Sequence, residues 1–268
     1  MISRMSLVLL MWLALAGVAC AADALDKIKK DGVLVVGVRN GMRPFGFIDK
    51  KTMELTGYDI DFARAIAGKL GVKLQLKSSD EALIPLLNQR KIDLIAGAMT
   101  KSAERMEWCD FSVTYYVTRQ TFLVKKGTAK TVADMKAQKI GTVKHSTSER
   151  NLKKALPGST IVLFGSYQNA FRALKRGSIM AISTDETILA GLAAADPQKA
   201  DYEILDAKIS NEPYGLGIRK GNPQWLAFVD QTLLELEQNG EAAKIYDKWF
   251  GKNSSLAIKR SFVISAGN

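Results

Sequence analysis

Apolar residues along this 268-residue chain fall into short runs that alternate with longer amphipathic segments. Short apolar runs bounded by glycine or polar residues predict buried strands, and apolar residues spaced three and four positions apart predict helices. The predicted strands are 33–38, 72–77, 92–99, 139–143, 160–164, 179–183 and 202–205. The predicted helices are 58–71, 79–91, 146–156, 166–177, 185–195 and 223–251, the last broken at Gly240. This alternation predicts an α/β fold with mostly parallel sheets.

The first 21 residues predict a secretory signal peptide. Arg4 is followed by an uncharged apolar run, 6–18, and then by small residues in the A-x-A spacing of a cleavage site. The run is short for a transmembrane helix, so we expect a soluble protein that is exported to the periplasm. A lipoprotein anchored at Cys20 is the less favoured alternative, because Gly17 stands where a lipobox usually carries leucine.

Composition limits the chemistry that the mature chain can perform. Cys109 is its only cysteine and His145 its only histidine, so no metal-ligand spacing exists and no disulfide can form within one chain. Cys109 stands among aromatic residues and is expected to be a packing residue rather than a nucleophile. No phosphate-binding glycine fingerprint and no nucleophile elbow occurs, so we expect no cofactor.

Charge gives little support to a nucleic-acid partner. The net charge is +11, which would suit an anionic polymer. Lysines and arginines are, however, interleaved with acidic residues along the whole chain, without a basic cluster that also carries aromatic residues. We therefore expect a basic solvated surface and no nucleic-acid partner.

The strand predicted at 92–99 ends in groups that suit a carboxylate. In parallel α/β sheets, ligands bind at the carboxyl ends of the strands. The backbone of Gly97 and Ala98, the hydroxyl of Thr100 and the guanidinium of Arg105 could converge on one anion there. The alternative is a surface ion pair between Arg105 and a nearby acidic residue, for which the candidates are Glu104, Glu107 and Asp110.

Two further predicted strands are each followed directly by the start of a helix. The turn at Ser146 and Thr147 has free N–H groups that suit an anion, and the alternative is simple capping, with Glu149 completing a capping box. Asp185 could hold an ammonium group or cap the helix that follows it. An arginine for a carboxylate and an acid for an ammonium group together fit a free α-amino acid.

An ordered series of short motifs runs along the chain: GVLVVGV, PFGF, TGYDIDFARAIAGKLG, KIDLIAGAMT, KIGTVKHSTSE, EPYGLGIRKGNPQW and YDKWF. In this order, over about 30 to 250, they resemble the periplasmic solute-binding proteins of polar amino-acid ABC importers. The resemblance implies a type II periplasmic-binding fold, in which two lobes joined by two strands hold the ligand between them. It maps lobe 1 onto 23–124 plus 213–250, lobe 2 onto 125–212, the hinges near 121–126 and 209–215, and a tail onto 252–268.

The resemblance also assigns roles to residues. It implies that Arg105 grips the α-carboxylate of the ligand, with Thr100 adding its hydroxyl and Ala98 its backbone N–H beside Gly97. It implies that Asp185 binds the α-amino group of the ligand. In the turn of lobe 2, Ser146 and Thr147 add donors, and His145 stands where the family usually has glycine.

The positions around these groups bear on the choice of ligand. Met42 and Phe45 belong to the expected contacts, although Met42 replaces an aromatic residue that stacks on the ligand in many relatives. Leu83 stands where binders of acidic amino acids often have arginine. Arg39 and Lys144 nevertheless suit a carboxylate or carbonyl on the ligand side chain, with surface charge as the alternative. We rank glutamate, aspartate or glutamine above arginine, lysine or histidine.

The resemblance implies a free L-amino acid and a membrane ABC permease as partners of a monomeric binding protein. We expect no catalytic activity. The alternative is an exported enzyme with this fold, since cyclohexadienyl dehydratase resembles these binders. Such an enzyme needs a general acid in the cleft, for which Glu186 and His145 are the candidates.

Overall fold

The computed structural model describes residues 23–79 and 82–267. The predicted signal peptide, including Cys20, lies outside the described residues. Two large β-sheets, each covered by helices, divide the described chain into two lobes. The two-lobed α/β architecture is therefore confirmed.

Lobe 1 carries a five-stranded sheet made of β1 (Val33–Val38), β5 (Lys73–Ser78), β6 (Leu94–Ala96), β7 (Asp110–Phe111) and β14 (Gly217–Ile218). The strand order is β5-β1-β6-β14-β7, with β1 parallel to both β5 and β6. A small second sheet joins β2 (Gly41–Met42), β3 (Gly46–Ile48) and β4 (Leu55–Thr56). The helices of this lobe are α1 (Ala24–Asp31), α2 (Tyr58–Leu70), α3 (Leu83–Asn88), α4 (Ala103–Met106), α8 (Pro223–Gln238) and α9 (Glu241–Trp249).

Lobe 2 carries the strands β8 (Tyr116–Lys125), β9 (Lys139–Val143), β10 (Thr160–Phe164), β11 (Ala181–Asp185), β12 (Tyr202–Ile204) and β13 (Ser210–Tyr214). The order is β10-β9-β11-β8-β12, and β13 also pairs with β8. Its helices are α5 (Thr147–Ala155), α6 (Tyr167–Lys175) and α7 (Glu186–Ala194). Two short 3-10 turns, Ala133–Met135 and Lys199–Asp201, complete the lobe.

The chain crosses between the lobes at two neighbouring places. The first crossing follows β7 and ends at Tyr116, and the second follows Tyr214, its partner in the β8–β13 ladder. The hinge predicted at 121–126 is wrong, because β8 is one continuous strand whose later residues pair with β11 and β12 inside the sheet of lobe 2. By sheet membership lobe 2 begins near 116 rather than 125, and lobe 1 resumes near 217 rather than 213.

An aromatic cluster fills the space beside both crossings. The Phe45 ring lies 4.9 Å from Tyr116, 5.3 Å from Tyr214, 6.0 Å from Tyr58 and 5.6 Å from Phe250, measured between ring centroids. All five side chains are buried. Aromatic pairs at these separations add stabilisation beyond the area they bury, so the cluster anchors the crossings to lobe 1.

The tail after 251 packs back on lobe 1 and on the first crossing. Arg260 forms an ion pair with Glu237 near the end of α8. The Phe262 ring lies 5.2 Å from Tyr116 and 5.8 Å from Tyr246, and Ile264 is buried. The tail therefore belongs to the folded body of lobe 1.

Candidate ligand-binding site

Arg105 points inward from a short helix. The Ser102 hydroxyl caps α4 by accepting the Arg105 N–H at 3.3 Å, and the guanidinium donates to the Thr100 carbonyl at 2.9 Å. Burial lowers the pKa of Arg105, Arg150 adds to this effect, and the Asp185 carboxylate opposes it. A buried guanidinium that still has free donors suits an anionic ligand.

The surface ion pair considered as an alternative for Arg105 is not formed. Glu104 pairs instead with Arg150 across the lobes at 3.0 Å, and Asp110 lies 3.5 Å from Lys220. Within 23–79 and 82–267, no carboxylate oxygen lies within 4.0 Å of the Arg105 guanidinium.

Two predicted donors of lobe 1 are occupied by carboxylates of the protein itself. The Thr100 hydroxyl donates to Glu212 at 2.6 Å, and the Ala98 N–H donates to Asp59 at 2.7 Å. Ala98 has φ +48°, which turns its amide toward Asp59. Tyr115 donates to the other Asp59 oxygen at 2.6 Å, and burial raises the pKa of Asp59 to about 6. The expected role of the Ala98 N–H as a ligand donor is therefore not supported by its geometry.

Asp185 is a buried carboxylate with one oxygen left over. It is the last residue of β11, and the Tyr214 hydroxyl donates to its Oδ2. Its Oδ1 has no hydrogen-bond partner among the described residues, and its side chain does not cap α7. Burial raises its pKa to about 7; Glu212 also raises it, while Tyr214 and Arg105 lower it. An oxygen of this kind is suited to an ammonium group.

Glu212 is a second buried carboxylate that the sequence analysis missed. It lies on β13 and accepts hydrogen bonds from Thr100, from Asn151 at 2.9 Å and from Ser210. These partners come from lobe 1, from α5 and from β13, so Glu212 connects both lobes at the second crossing. It lies within the EPYG motif, but nothing in the local pattern marks it as buried.

The turn at the start of α5 serves mainly as a helix cap. Ser146 accepts the Glu149 N–H at 3.1 Å and donates to the Val143 carbonyl at 2.6 Å. Glu149 in turn accepts the His145 N–H at 2.7 Å. The capping alternative is confirmed, with the reciprocal bond made to His145 instead of Ser146. Thr147, the first residue of α5, is buried.

His145 adopts a left-handed backbone conformation, with φ +61°. Residues other than glycine are disfavoured in this conformation, because their Cβ atom meets the backbone. This explains why a glycine suits the position. The histidine itself is exposed.

The remaining predicted contacts differ in their surroundings. The β1–β6 register pairs Val38 with Ala96, which brings Arg39 next to Gly97, and the Arg39 guanidinium donates to the Ser79 carbonyl at 3.0 Å. Lys144 is exposed, and Met42 is half-buried on β2. Phe45 has no exposed surface, because the aromatic cluster encloses it, so it acts as a core residue.

The two lobes touch each other along a seam, defined here as the contacts of 41–44 and 104 with 150, 168 and 191. The Gln168 side chain of α6 donates to the Gly41 carbonyl, and Arg150 pairs with Glu104. Gly191 of α7 lies directly against the Arg43 carbonyl. The two lobes therefore touch at these three places, and we refer to this as the closed arrangement.

Within the described chain, no group of three or more histidine, cysteine or acidic residues is arranged to hold a metal ion. The same residues include no helix with the length and apolar character needed to cross a membrane. Cys109 is buried in lobe 1 beside Arg105, whose carbonyl lies 3.5 Å from its sulfur, and burial raises the pKa of its thiol to about 11. Its surroundings are those of a packing residue.

We predict that Asp185→Asn stabilises the protein in the absence of ligand, increasingly so as pH rises from 4 to 7. The folded protein binds the Asp185 proton more tightly than the unfolded chain does, because burial raises the pKa of Asp185 from its ordinary value of 3.8 to about 7. Stability from this group is therefore complete below the ordinary pKa and is lost as pH rises through the folded pKa. Urea unfolding at pH 5 and pH 8 measures the difference.

The matched control for that prediction is Asp201→Asn, which removes an exposed carboxylate from the same lobe. It should change stability little at either pH. A loss of stability in Asp185→Asn at pH 8 would contradict the view that the buried charge of Asp185 destabilises the fold.

Comparison with known proteins agrees with this architecture. The glutamine-binding protein of Geobacillus stearothermophilus is 39% identical over 220 residues, which are 80% of this chain and 83% of that protein. The structure of an ancestral arginine-binding protein bound to glutamine is similar with a TM-score of 0.77 and 39% identity, covering 82% of this chain and 98% of its own. An ancestral amino acid-binding protein, AncCDT-1, described as a precursor of cyclohexadienyl dehydratase, gives a TM-score of 0.77 and 36% identity, over 84% and 99% of the chains.

The family match extends over most of the chain. Residues 34–252 match the bacterial extracellular solute-binding proteins, family 3, and the solved structures above share the two-lobed fold. Arg105 and the unpartnered Oδ1 of the buried Asp185 agree with such a role. The chain is a member of family 3 of the bacterial extracellular solute-binding proteins, which work with amino-acid ABC transporters.

Proposed function

We propose that this protein captures a free polar amino acid between its lobes and delivers it to a membrane ABC permease. One observation carries the proposal: Arg105 of lobe 1 lies near enough to Asp185 of lobe 2 for each charge to shift the pKa of the other, and the buried Oδ1 of Asp185 has no partner among the described residues. The α-carboxylate of a zwitterion matches Arg105, and its α-ammonium group matches Asp185. A ligand bound in this way connects the two lobes.

Closure follows from the division of the two charges between the lobes. In the open state only one of them can contact the ligand, whereas in the closed state both do. The ligand therefore binds the closed state more tightly and shifts the population toward it. Because both charges are buried, a neutral molecule of the same shape would leave them unpaired, which gives the site its selectivity for zwitterions.

The proposed ligands are glutamine, glutamate and aspartate, with glutamine ranked first. The glutamine-binding relative is 39% identical to this chain, whereas the ancestral arginine-binding protein, also 39% identical, has been solved with glutamine and with arginine. Glu212 adds a negative charge beside Arg105 and Asp185, which disfavours a second carboxylate on the ligand. Arg39 and Lys144 are the cations available to offset such a carboxylate, but Lys144 is exposed and thus poorly placed to do so.

We predict that a thermal-shift screen of the proteinogenic amino acids identifies glutamine, glutamate or aspartate as the strongest stabilisers. A ligand present at a hundred times its Kd should raise the melting temperature by roughly 5–10 °C. D-glutamine is the matched control, because it offers the same groups in a mirrored arrangement. A protein that no amino acid stabilises would contradict the proposed function.

We predict that Arg105→Ala weakens binding of the identified amino acid by more than about a hundredfold, measured by titration calorimetry. Truncation leaves the ligand carboxylate buried without its partner, which costs ~3–5 kcal/mol. Arg105→Lys keeps the charge but loses the planar fork, so its loss should be smaller. Arg64→Ala removes an exposed arginine of α2 and should bind normally. Unchanged affinity in Arg105→Ala would show that the ligand binds elsewhere.

An exported dehydratase is the second candidate, and the similarity to AncCDT-1 is the observation that favours it. The residues suited to a general acid argue against it. Glu186 is held by Arg119 through two hydrogen bonds of 2.9 and 3.0 Å, and His145 is exposed at the start of α5. We therefore favour binding over catalysis.

The two functions are separated by incubation with arogenate and prephenate. We expect neither phenylalanine nor phenylpyruvate to form, because Asp185 suits an ammonium group that is kept intact. Detection of either product, with turnover abolished in Glu186→Gln, would establish the enzyme instead.

A proposal on location completes this function. We propose that the mature protein acts in the periplasm as a monomer, released from the membrane by cleavage after Ala21. A mature N-terminus at Ala22 in mass spectrometry would agree with this, whereas a lipid-modified Cys20 would establish the anchored form.

A further inference from the structure

One contact of the seam leaves no space for a side chain. Gly191 lies inside α7 of lobe 2, and its Cα faces the backbone of Arg43 in lobe 1. A Cβ atom at Gly191 would lie 2.2 Å from the Arg43 carbonyl oxygen, 2.8 Å from the carbonyl carbon and 3.3 Å from the Pro44 Cδ. Such distances are well inside van der Waals contact, so the closed arrangement requires glycine at this position.

Local structure gives no reason for a glycine here. Gly191 has no left-handed backbone conformation, and it stands in a helix whose sequence is otherwise rich in alanine and leucine. Glycine is among the weakest helix-forming residues, and alanine is the strongest. The helix alone would therefore favour alanine, and the contact with the other lobe is what opposes it.

The opposing segment cannot move aside. The clashing atom belongs to the main chain, so no rotamer change relieves it. Hydrogen bonds fix the segment on both sides: the Phe45 N–H donates to the Met42 carbonyl at 2.7 Å, and the Tyr58 N–H donates to the Pro44 carbonyl at 3.0 Å. Phe45 is also enclosed by the aromatic cluster. A side chain at Gly191 would instead hold the lobes apart by roughly 1 Å at this point.

We propose that Gly191 is a positioning residue for lobe closure, whose missing side chain sets the affinity for the ligand and its residence time. The inference rests on the proposed function, since closure brings Arg105 of lobe 1 and Asp185 of lobe 2 onto one ligand. A wedge at Gly191 separates these two groups without touching either of them. The ligand should then associate at the normal rate but dissociate faster.

A second glycine of the seam provides a graded comparison. A Cβ atom at Gly41 would lie 3.2 Å from the Nε2 and 3.3 Å from the Oε1 of Gln168. Those atoms are the end of a flexible side chain, which can shift. Alanine at Gly41 should therefore disturb closure much less than alanine at Gly191 does.

The test compares Gly191→Ala, Gly41→Ala and Gly68→Ala with the wild-type protein. Gly68 lies exposed inside α2 of lobe 1 with open space around it, so it controls for glycine-to-alanine replacement in a helix. Affinity is measured by titration calorimetry with the amino acid that stabilises the wild type, and rates are measured by stopped-flow fluorescence. Small-angle X-ray scattering with and without ligand reports how far the lobes close.

For Gly191→Ala we expect Kd to rise roughly tenfold or more, mostly through faster dissociation, with a larger radius of gyration in the presence of ligand. The melting temperature without ligand should be equal to or above that of the wild type, as in Gly68→Ala. Gly41→Ala should weaken binding less than Gly191→Ala, and Gly68→Ala should bind within twofold of the wild type. These differences distinguish a closure defect from a loss of folding.

Wild-type affinity and compactness in Gly191→Ala would overturn the proposal. So would an unfolded variant, because it would show that the contact of Gly191 with Arg43 serves folding rather than closure. If the wild type binds no amino acid, the proposed function fails, and the role of Gly191 is then tested by X-ray scattering alone. An expanded Gly191→Ala variant beside a compact wild type supports that role, and equal scattering profiles exclude it.

Discussion

The antiparallel pairing of β8 with β13 is the constraint on which the rest of the structure depends. These strands run side by side from the Tyr116–Tyr214 pair to the Gln120–Ser210 pair, directly beside the points where the chain crosses between lobes. On its other edge, β8 pairs Gln120 with Asp185. The ladder therefore fixes where the second lobe presents its carboxylate.

Beside the aromatic cluster, a backbone bridge joins lobe 1 to this ladder. Thr100 pairs with Tyr214, and the Thr100 hydroxyl donates to Glu212 at 2.6 Å. The Arg105 guanidinium donates to the Thr100 carbonyl, so the arginine is oriented by the same residue that contacts the ladder. Groups that are far apart in sequence thus lie near one another, because the crossing strands fix the position of one lobe relative to the other.

The charged residues of the candidate site cost the fold stability. Asp185 and Glu212 are buried and Arg105 is half-buried, and burial shifts the pKa of Arg105 down and that of Asp185 up to about 7. Each shift means that the fold alone does not fully satisfy the charge. The aromatic cluster around Phe45 and the two sheet cores supply stability that offsets this cost.

Sequence patterns were sufficient for the regular elements and insufficient for the turns between them. The strands predicted at 33–38, 139–143 and 160–164 agree with β1, β9 and β10, since continuous apolar runs are strong signals. The hairpin β2–β3 was not predicted, because elements of two or three residues carry no periodicity. The predicted hinge at 121–126 failed for a related reason: an apolar run marks a buried strand but not the sheet that it joins.

The sequence pattern by itself determined the α/β fold and the interpretation of Cys109 as a packing residue, and the resemblance to a known family added the two lobes and the candidate site residues. Only the tertiary structure decided how those residues are used. It turned the Ala98 amide toward Asp59, placed Phe45 in the core and brought Glu212 beside Arg105. The physical reason is that periodicity records which face of an element is buried, whereas hydrogen-bond partners and contacts between lobes depend on atoms that are distant in the chain.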